Sequence, residues 1–105
     1  MADARAHSEF GNDPGEPLQL SEKLDLRASL DLLADLRARR GSDLAIDAGH
    51  VQHLGAHAVQ TLLVAADSWA RDGNKLVVEN LTDAARGHLS ILGLRPEQLS
   101  SGGAA

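Results

Sequence analysis

The chain has 105 residues, enough for one domain and too few for two, and its formal net charge is −5. It has no Cys, which excludes disulfides, thiolate metal ligands and a Cys nucleophile. An acidic chain whose aromatic residues are Phe10 and Trp69 is poorly suited to nucleic acid. The longest apolar run, Leu62 to Ala66, is too short to cross a bilayer, and the N-terminus shows no secretory signal. We therefore expect a cytoplasmic protein that binds no nucleic acid and does not insert into a membrane.

The two ends of the chain differ from its middle. Residues 1–16 are polar and contain Gly and Pro, which predicts a disordered leader with Phe10 as a short docking point. Residues 100–105 are small and predict a disordered tail. The folded domain is expected over residues 17–99.

Within that domain, strands and helices are expected to alternate. The pattern predicts a strand over 17–20, a helix over 27–40, a strand over 43–48, a helix over 56–71, a strand over 75–79 and a helix over 82–92. Residues 21–25 are expected to be a connector and residues 49–55 a loop. Strands joined by helices pair in parallel through right-handed crossovers. The prediction is a small α/β domain with a mostly parallel sheet and helices packed on it.

The first predicted helix separates charged from apolar residues. Its charges recur every four residues: Arg27, Asp31, Asp35 and Arg39. We expect Arg27–Asp31 and Asp35–Arg39 pairs, each contributing roughly 0.3 kcal/mol. Three leucines on the opposite side are expected to face the core: Leu30, Leu33 and Leu36. Arg37, Arg39 and Arg40 at the end of this helix interact favourably with its dipole.

The second predicted helix has an unusual outward side. Its expected core stripe has Trp69 at the edge and otherwise comprises Val59, Leu62, Leu63, Ala66 and Ala70. The opposite line carries no formal charge: His57, Thr61, Val64 and Ser68. One interpretation is a lightly polar solvent face, since exposed Val is common. The preferred interpretation is a contact surface, because small uncharged side chains cost little to desolvate.

The start of this helix lies where binding sites gather in parallel sheets, at the carboxyl end of a strand. His57 is in the first turn, where free N–H groups and the helix dipole favour an anion. We therefore expect a partner interface at the start and along the outer line of the helix. Its predicted members are His53, Gly55, Ala56, His57, Thr61, Val64 and Ser68.

Five short segments between Leu20 and Leu94 resemble the STAS domain, the fold of anti-sigma-factor antagonists. Residues 24–26 are similar to the end of the family's G-E-L-D strand, and residues 47–51 to its D-L-S-x-V segment. Residues 54–59 lie where the family has L/M-D-S-S/A-G-L. Residues 72–76 are similar to x-G-x-x-L, and residues 89–94 to the closing L-x-x-x-G-L. Their order and spacing carry the resemblance more than any single segment does.

The resemblance implies a protein-binding module that is not an enzyme and needs no cofactor. In the antagonist branch a kinase phosphorylates a Ser at the start of the second helix, and the added charge breaks the complex. Here the family's Asp falls on Gly55 and its phosphoacceptor Ser falls on His57, with Ala56 between them. His57 thus occupies the switch position without being able to act as a serine switch.

The implied partners belong to bacterial signal transduction. They are a kinase-like anti-sigma factor or a chemotaxis or two-component protein. The alternative is a subunit that docks on the ABC ATPase of a lipid-transport system, as similar small STAS proteins do.

Other chemistry has less support in the residues. His50, His53 and His57, with Asp47, could offer ligands to Zn. They straddle a loop and a helix start without Cys or Glu, so we expect no metal site. A phosphohistidine at His57 stays open as an alternative. The sequence has no Gly-rich phosphate loop and no G-x-S-x-G elbow, so we expect no catalysis.

Overall fold

The structure, a computed structural model, describes residues 16–100. Along them lie β1 (Leu18–Gln19), β2 (Lys23–Leu24), α1 (Leu26–Ala38), β3 (Leu44–Asp47), β4 (His53–Leu54), α2 (Ala56–Arg71), β5 (Leu76–Glu79), α3 (Asp83–Ile91) and a closing 3-10 helix (Pro96–Leu99). The predicted leader, 1–16, and tail, 100–105, lie outside the described residues, apart from Glu16 and Ser100.

The strands form two parallel sheets. A three-stranded sheet has the order β1-β3-β5, with Leu18 paired to Ile46 and Leu44 to Leu76. A two-stranded sheet pairs β2 with β4. The predicted α/β class with parallel strands is confirmed. β2 and β4 lie in the expected connector and loop, and at two residues each they are too short to show a period-2 pattern.

The order β1-β3-β5 means that the chain advances across the larger sheet in one direction. Right-handed crossovers then place α1 and α2 side by side on the same face, where they pack against each other. The core lies between these helices and the sheet, and Ile46, Leu62 and Leu76 are almost fully buried in it. The strand residues that point the other way, such as Val77 and Glu79, are exposed.

Helix α1 is turned differently from the prediction. Asp25 caps it, accepting a hydrogen bond from the Ala28 N–H at 3.0 Å. The prediction of Leu30 as a core residue is wrong, since it is 60% exposed, and Leu32 is buried instead. The buried ridge of α1 comprises Ser29, Leu32, Leu36 and Arg39. This ridge faces the sheet, whereas Leu33 is only half-buried.

The charge line of α1 does not form the predicted pairs. Neither Arg27–Asp31 nor Asp35–Arg39 is among the ion pairs within residues 16–100. Arg39 is buried, and its guanidinium donates to the carbonyl oxygen of Glu16, just before β1. The four-residue periodicity was a poor guide here because the backbone carbonyl is a closer partner than Asp35.

Helix α2 follows its predicted bounds and most of its predicted core stripe. The confirmed buried members are Val59, Leu62 and Ala66. Trp69 is buried rather than at the edge, and its Nε1–H donates to the Ser42 carbonyl at 2.9 Å. Ala70 is exposed, so its placement in the core was wrong. The buried stripe is shifted toward Ala58 and Ala65.

Candidate functional site

The start of α2 depends on a close backbone approach at Gly55. This residue is the N-cap of α2, and its N–H donates to the carbonyl oxygen of Leu24 at 3.0 Å. A Cβ at position 55 would lie 2.8 Å from that same oxygen. Glycine therefore stands where the resembling family has Asp because the end of β2 leaves no room for a side chain.

The outer line of α2 is arranged as the prediction placed it. Ala56 and His57 are exposed, Thr61 and Ser68 are half-buried, and Val64 is 59% exposed. The Thr61 hydroxyl donates to the His57 carbonyl at 2.9 Å, so its proton is engaged within the helix. The structure thus presents an uncharged surface centred on Val64. The role of these residues as an interface stays a prediction.

Val64 lies on a ridge between two hollows. One, of about 320 Å³, lies between α1 and α2, and we call it the α1–α2 groove. It is lined from α1 by Leu33, Leu36, Arg37 and Arg40, and from α2 by Gln60, Thr61, Val64, Ala65, Ser68 and Trp69. The other hollow lies on the opposite side of α2, toward the end of α3, and includes Leu63 and Leu92. An apolar side chain between two concave surfaces is well placed for contact with a partner.

Two arginines in this groove were missed as site residues, because their place at a helix end already explained them. Arg37 and Arg40 continue the spacing of Leu33 and Leu36 along the same side of α1. Arg40 pairs with Asp72 at 3.0 Å. Arg37 is exposed and forms no ion pair with another residue of 16–100. The groove is therefore basic at the end where α1 and α2 finish.

The predicted histidine set does not come together. His53 packs against His88 of α3, with ring centroids 5.1 Å apart and planes at 77°, an edge-to-face arrangement. Across residues 16–100, no three His, Cys, Asp or Glu side chains are arranged to hold a metal ion. His53 and His57 are both exposed, and His50 lies on the separate loop after β3.

Asp47, considered above as a metal ligand, instead joins the carboxyl ends of the three strands. It accepts hydrogen bonds from the Gly49 N–H at 2.9 Å, the Asn80 amide at 3.2 Å and the Gln19 amide at 3.4 Å. The Gly49 N–H, then the Asn80 amide, hold the pKa of Asp47 below its usual value. Asp47 thereby orders the loop that leads to β4 and α2. An Asp followed two residues later by Gly is the sequence signal of such a turn.

The comparisons with known proteins give one match. The family model described as "Mlab, STAS domain" matches residues 12–99. No match was found among the curated proteins or among the solved structures. None of the helices described in residues 16–100 is both long and apolar enough to cross a membrane.

Proposed function

Because the chain belongs to the STAS domain family, we propose that it is a protein-binding module without catalytic activity whose partner docks on the outer line of α2. The family is one of binding and regulatory modules. The observation that carries the proposal is the uncharged surface around Val64, which is 59% exposed between two hollows.

The physical case rests on what a partner would have to desolvate. The outer line from His57 to Ser68 has no carboxylate, ammonium or guanidinium group. Covering it removes Val64 from water, and the Thr61 hydroxyl keeps its bond to the His57 carbonyl. Interfaces are commonly depleted in charge at their centre and polar at their rim. Ala56, Gly55 and His53 extend the proposed surface around the start of α2.

The first candidate partner is a bacterial signalling protein in the cytoplasm, such as a kinase-like anti-sigma factor or a chemotaxis or two-component protein. This follows from the resemblance to anti-sigma-factor antagonists. His57 occupies the switch position, and the first turn of α2 has no side-chain cap. The uncapped N–H groups there favour added negative charge electrostatically.

The second candidate is constitutive docking on the ABC ATPase of a lipid-transport system. The specific observation in its favour is the lack of a hydroxyl at positions 55–57, which carry Gly, Ala and His. A subunit that stays bound needs no phosphorylation switch. Pull-down with the full chain separates the candidates, since one predicts a signalling protein and the other an ABC ATPase.

Val64→Asp tests the docking surface on whichever protein is recovered. The variant should fold normally, because a largely exposed position changes stability by about 0.5 kcal/mol or less. Placing an unpaired carboxylate in a desolvated contact costs about 2–5 kcal/mol. The dissociation constant, measured by calorimetry, should therefore rise by about 30-fold or more.

Val77→Asp is the matched control. It introduces the same substitution at an exposed valine of β5, on the side of the sheet away from α1 and α2. We expect this variant to bind like the unmodified chain. If Val64→Asp binds with unchanged affinity, or if both variants lose binding equally, the proposed surface is wrong.

A further inference from the structure

We propose that the α1–α2 groove is occupied by the chain's own N-terminal segment, residues 1–15. This inference does not depend on the proposed function, since it concerns a contact within one molecule. It does bear on it, because the groove shares Thr61, Val64 and Ser68 with the proposed docking surface.

The groove combines a basic end with an apolar middle. Arg37 and Arg40 lie at the end where α1 finishes, and Leu33 and Val64 lie further along. From Leu33 to Arg40 the groove extends for about 10 Å, at a rise of about 1.5 Å per helical residue. A fitting occupant is a short segment that carries an apolar side chain and carboxylates in matching order.

The N-terminal segment joins the domain at the basic end of this groove. Arg39, at the end of α1, donates to the carbonyl of Glu16, the first described residue. The pair between Arg40 and Asp72 brings the ends of α1 and α2 together at the same place. Residues 1–15 are therefore attached beside Arg37 and Arg40.

An unused hydrogen-bond donor lies at this attachment point. Arg39 is 9% exposed, and its Nη2 has no hydrogen-bond partner among residues 16–100. Leaving a buried charged donor unpaired is costly, so an acceptor close to Glu16 would be stabilising. The residues just before Glu16 are the nearest source of carbonyl or carboxylate oxygens.

The sequence of the segment matches the order of the groove. Asp13 is three residues from Glu16 and Phe10 is six. Six extended residues reach about 20 Å, about twice the length of the groove. Pro14-Gly15 is a turn signal that would allow the chain to double back around the end of α1. Asp13 then meets the arginines and Phe10 meets Leu33 and Val64.

The consequence is competition within the molecule. A partner that docks on Val64 must displace the N-terminal segment, so binding is weaker in the full chain than in a variant whose segment does not dock. The contact is held partly by exposed charges, and it therefore weakens as salt screens them.

Paramagnetic relaxation on the full chain tests this contact without any partner. The chain has no Cys, so Ser8→Cys gives a single site for a nitroxide beside Phe10. We expect strong loss of amide peak intensity in the ¹⁵N-labelled protein at Leu33, Arg37 and Val64. The same label in a Ser8→Cys, Phe10→Ser variant should cause little loss at those amides, and Phe10 lies outside the buried core cluster, so the fold is retained.

Three results would overturn the proposal. The first is broadening centred on the far side of the sheet, at Val77 and Glu79, in place of the groove. The second is broadening that does not depend on Phe10. The third comes from mixing nitroxide-labelled, unlabelled-nitrogen protein with ¹⁵N protein that carries no nitroxide. Broadening of the groove amides in that mixture would identify a second copy as the occupant.

Discussion

The close approach at Gly55 gives a quantitative test of how α2 is positioned. In Gly55→Ala the new Cβ would lie 2.8 Å from the Leu24 carbonyl oxygen, so the backbone must shift. The φ of −74° is open to any residue, and the cost comes from this contact alone. Overpacking costs about 1–3 kcal/mol, and the stiffer unfolded chain returns about 0.4–1 kcal/mol. A net loss of about 1–2 kcal/mol lowers the Tm by about 4–16 °C.

Gly87→Ala is the matched control, because a Cβ at that exposed position in α3 meets nothing within 4 Å. It should stabilise the protein by about 0.5–1 kcal/mol through helix propensity. Thermal and urea unfolding followed by circular dichroism measures both variants. If Gly55→Ala is as stable as the unmodified chain, or if the two variants shift the Tm in the same direction, the packing argument for Gly55 is refuted.

Three further substitutions test separate features. Asp47→Asn should lower the Tm at neutral pH, and the difference should shrink as the pH falls below about 4, because a lowered folded pKa stabilises only above the ordinary value; a pH-independent difference would contradict this. Trp69→Phe should lose about 1–3 kcal/mol in urea unfolding, since it leaves the Ser42 carbonyl without the indole N–H; an unchanged midpoint would refute that role. His57→Glu should weaken partner binding about tenfold in calorimetry without lowering the Tm, since the helix dipole favours the new carboxylate; unchanged affinity would argue for constitutive docking.

Much of the fold could be predicted from the sequence because its long elements are regular. The bounds of α2 follow from a 3.6-residue apolar period that ends at Asp72 and Gly73, and Gly73 adopts φ +78°. The two-residue strands β2 and β4 could not be predicted, since pairing with a distant segment is what defines them. The rotation of α1 was also missed, because its apolar residues include Leu30 and Leu32, on different sides.

The candidate site was predictable in part. The uncharged line of α2 was visible in the residue types, and its exposure at Val64 follows the helical period. The contribution of Arg37 and Arg40 required knowledge of which helix packs beside α2, and that depends on strand order. The steric role of Gly55 required the position of Leu24, thirty-one residues earlier in the chain.

Photo-crosslinking from position 64 tests the central claim most directly. A photoreactive residue is introduced in place of Val64 in the full chain, and in a second protein in place of Val77, within the native organism. The account predicts a covalent adduct with one signalling protein or ABC ATPase from position 64 and no such adduct from position 77. An adduct with that same protein from position 77 alone, or equal yields from both positions, would contradict docking on the outer line of α2.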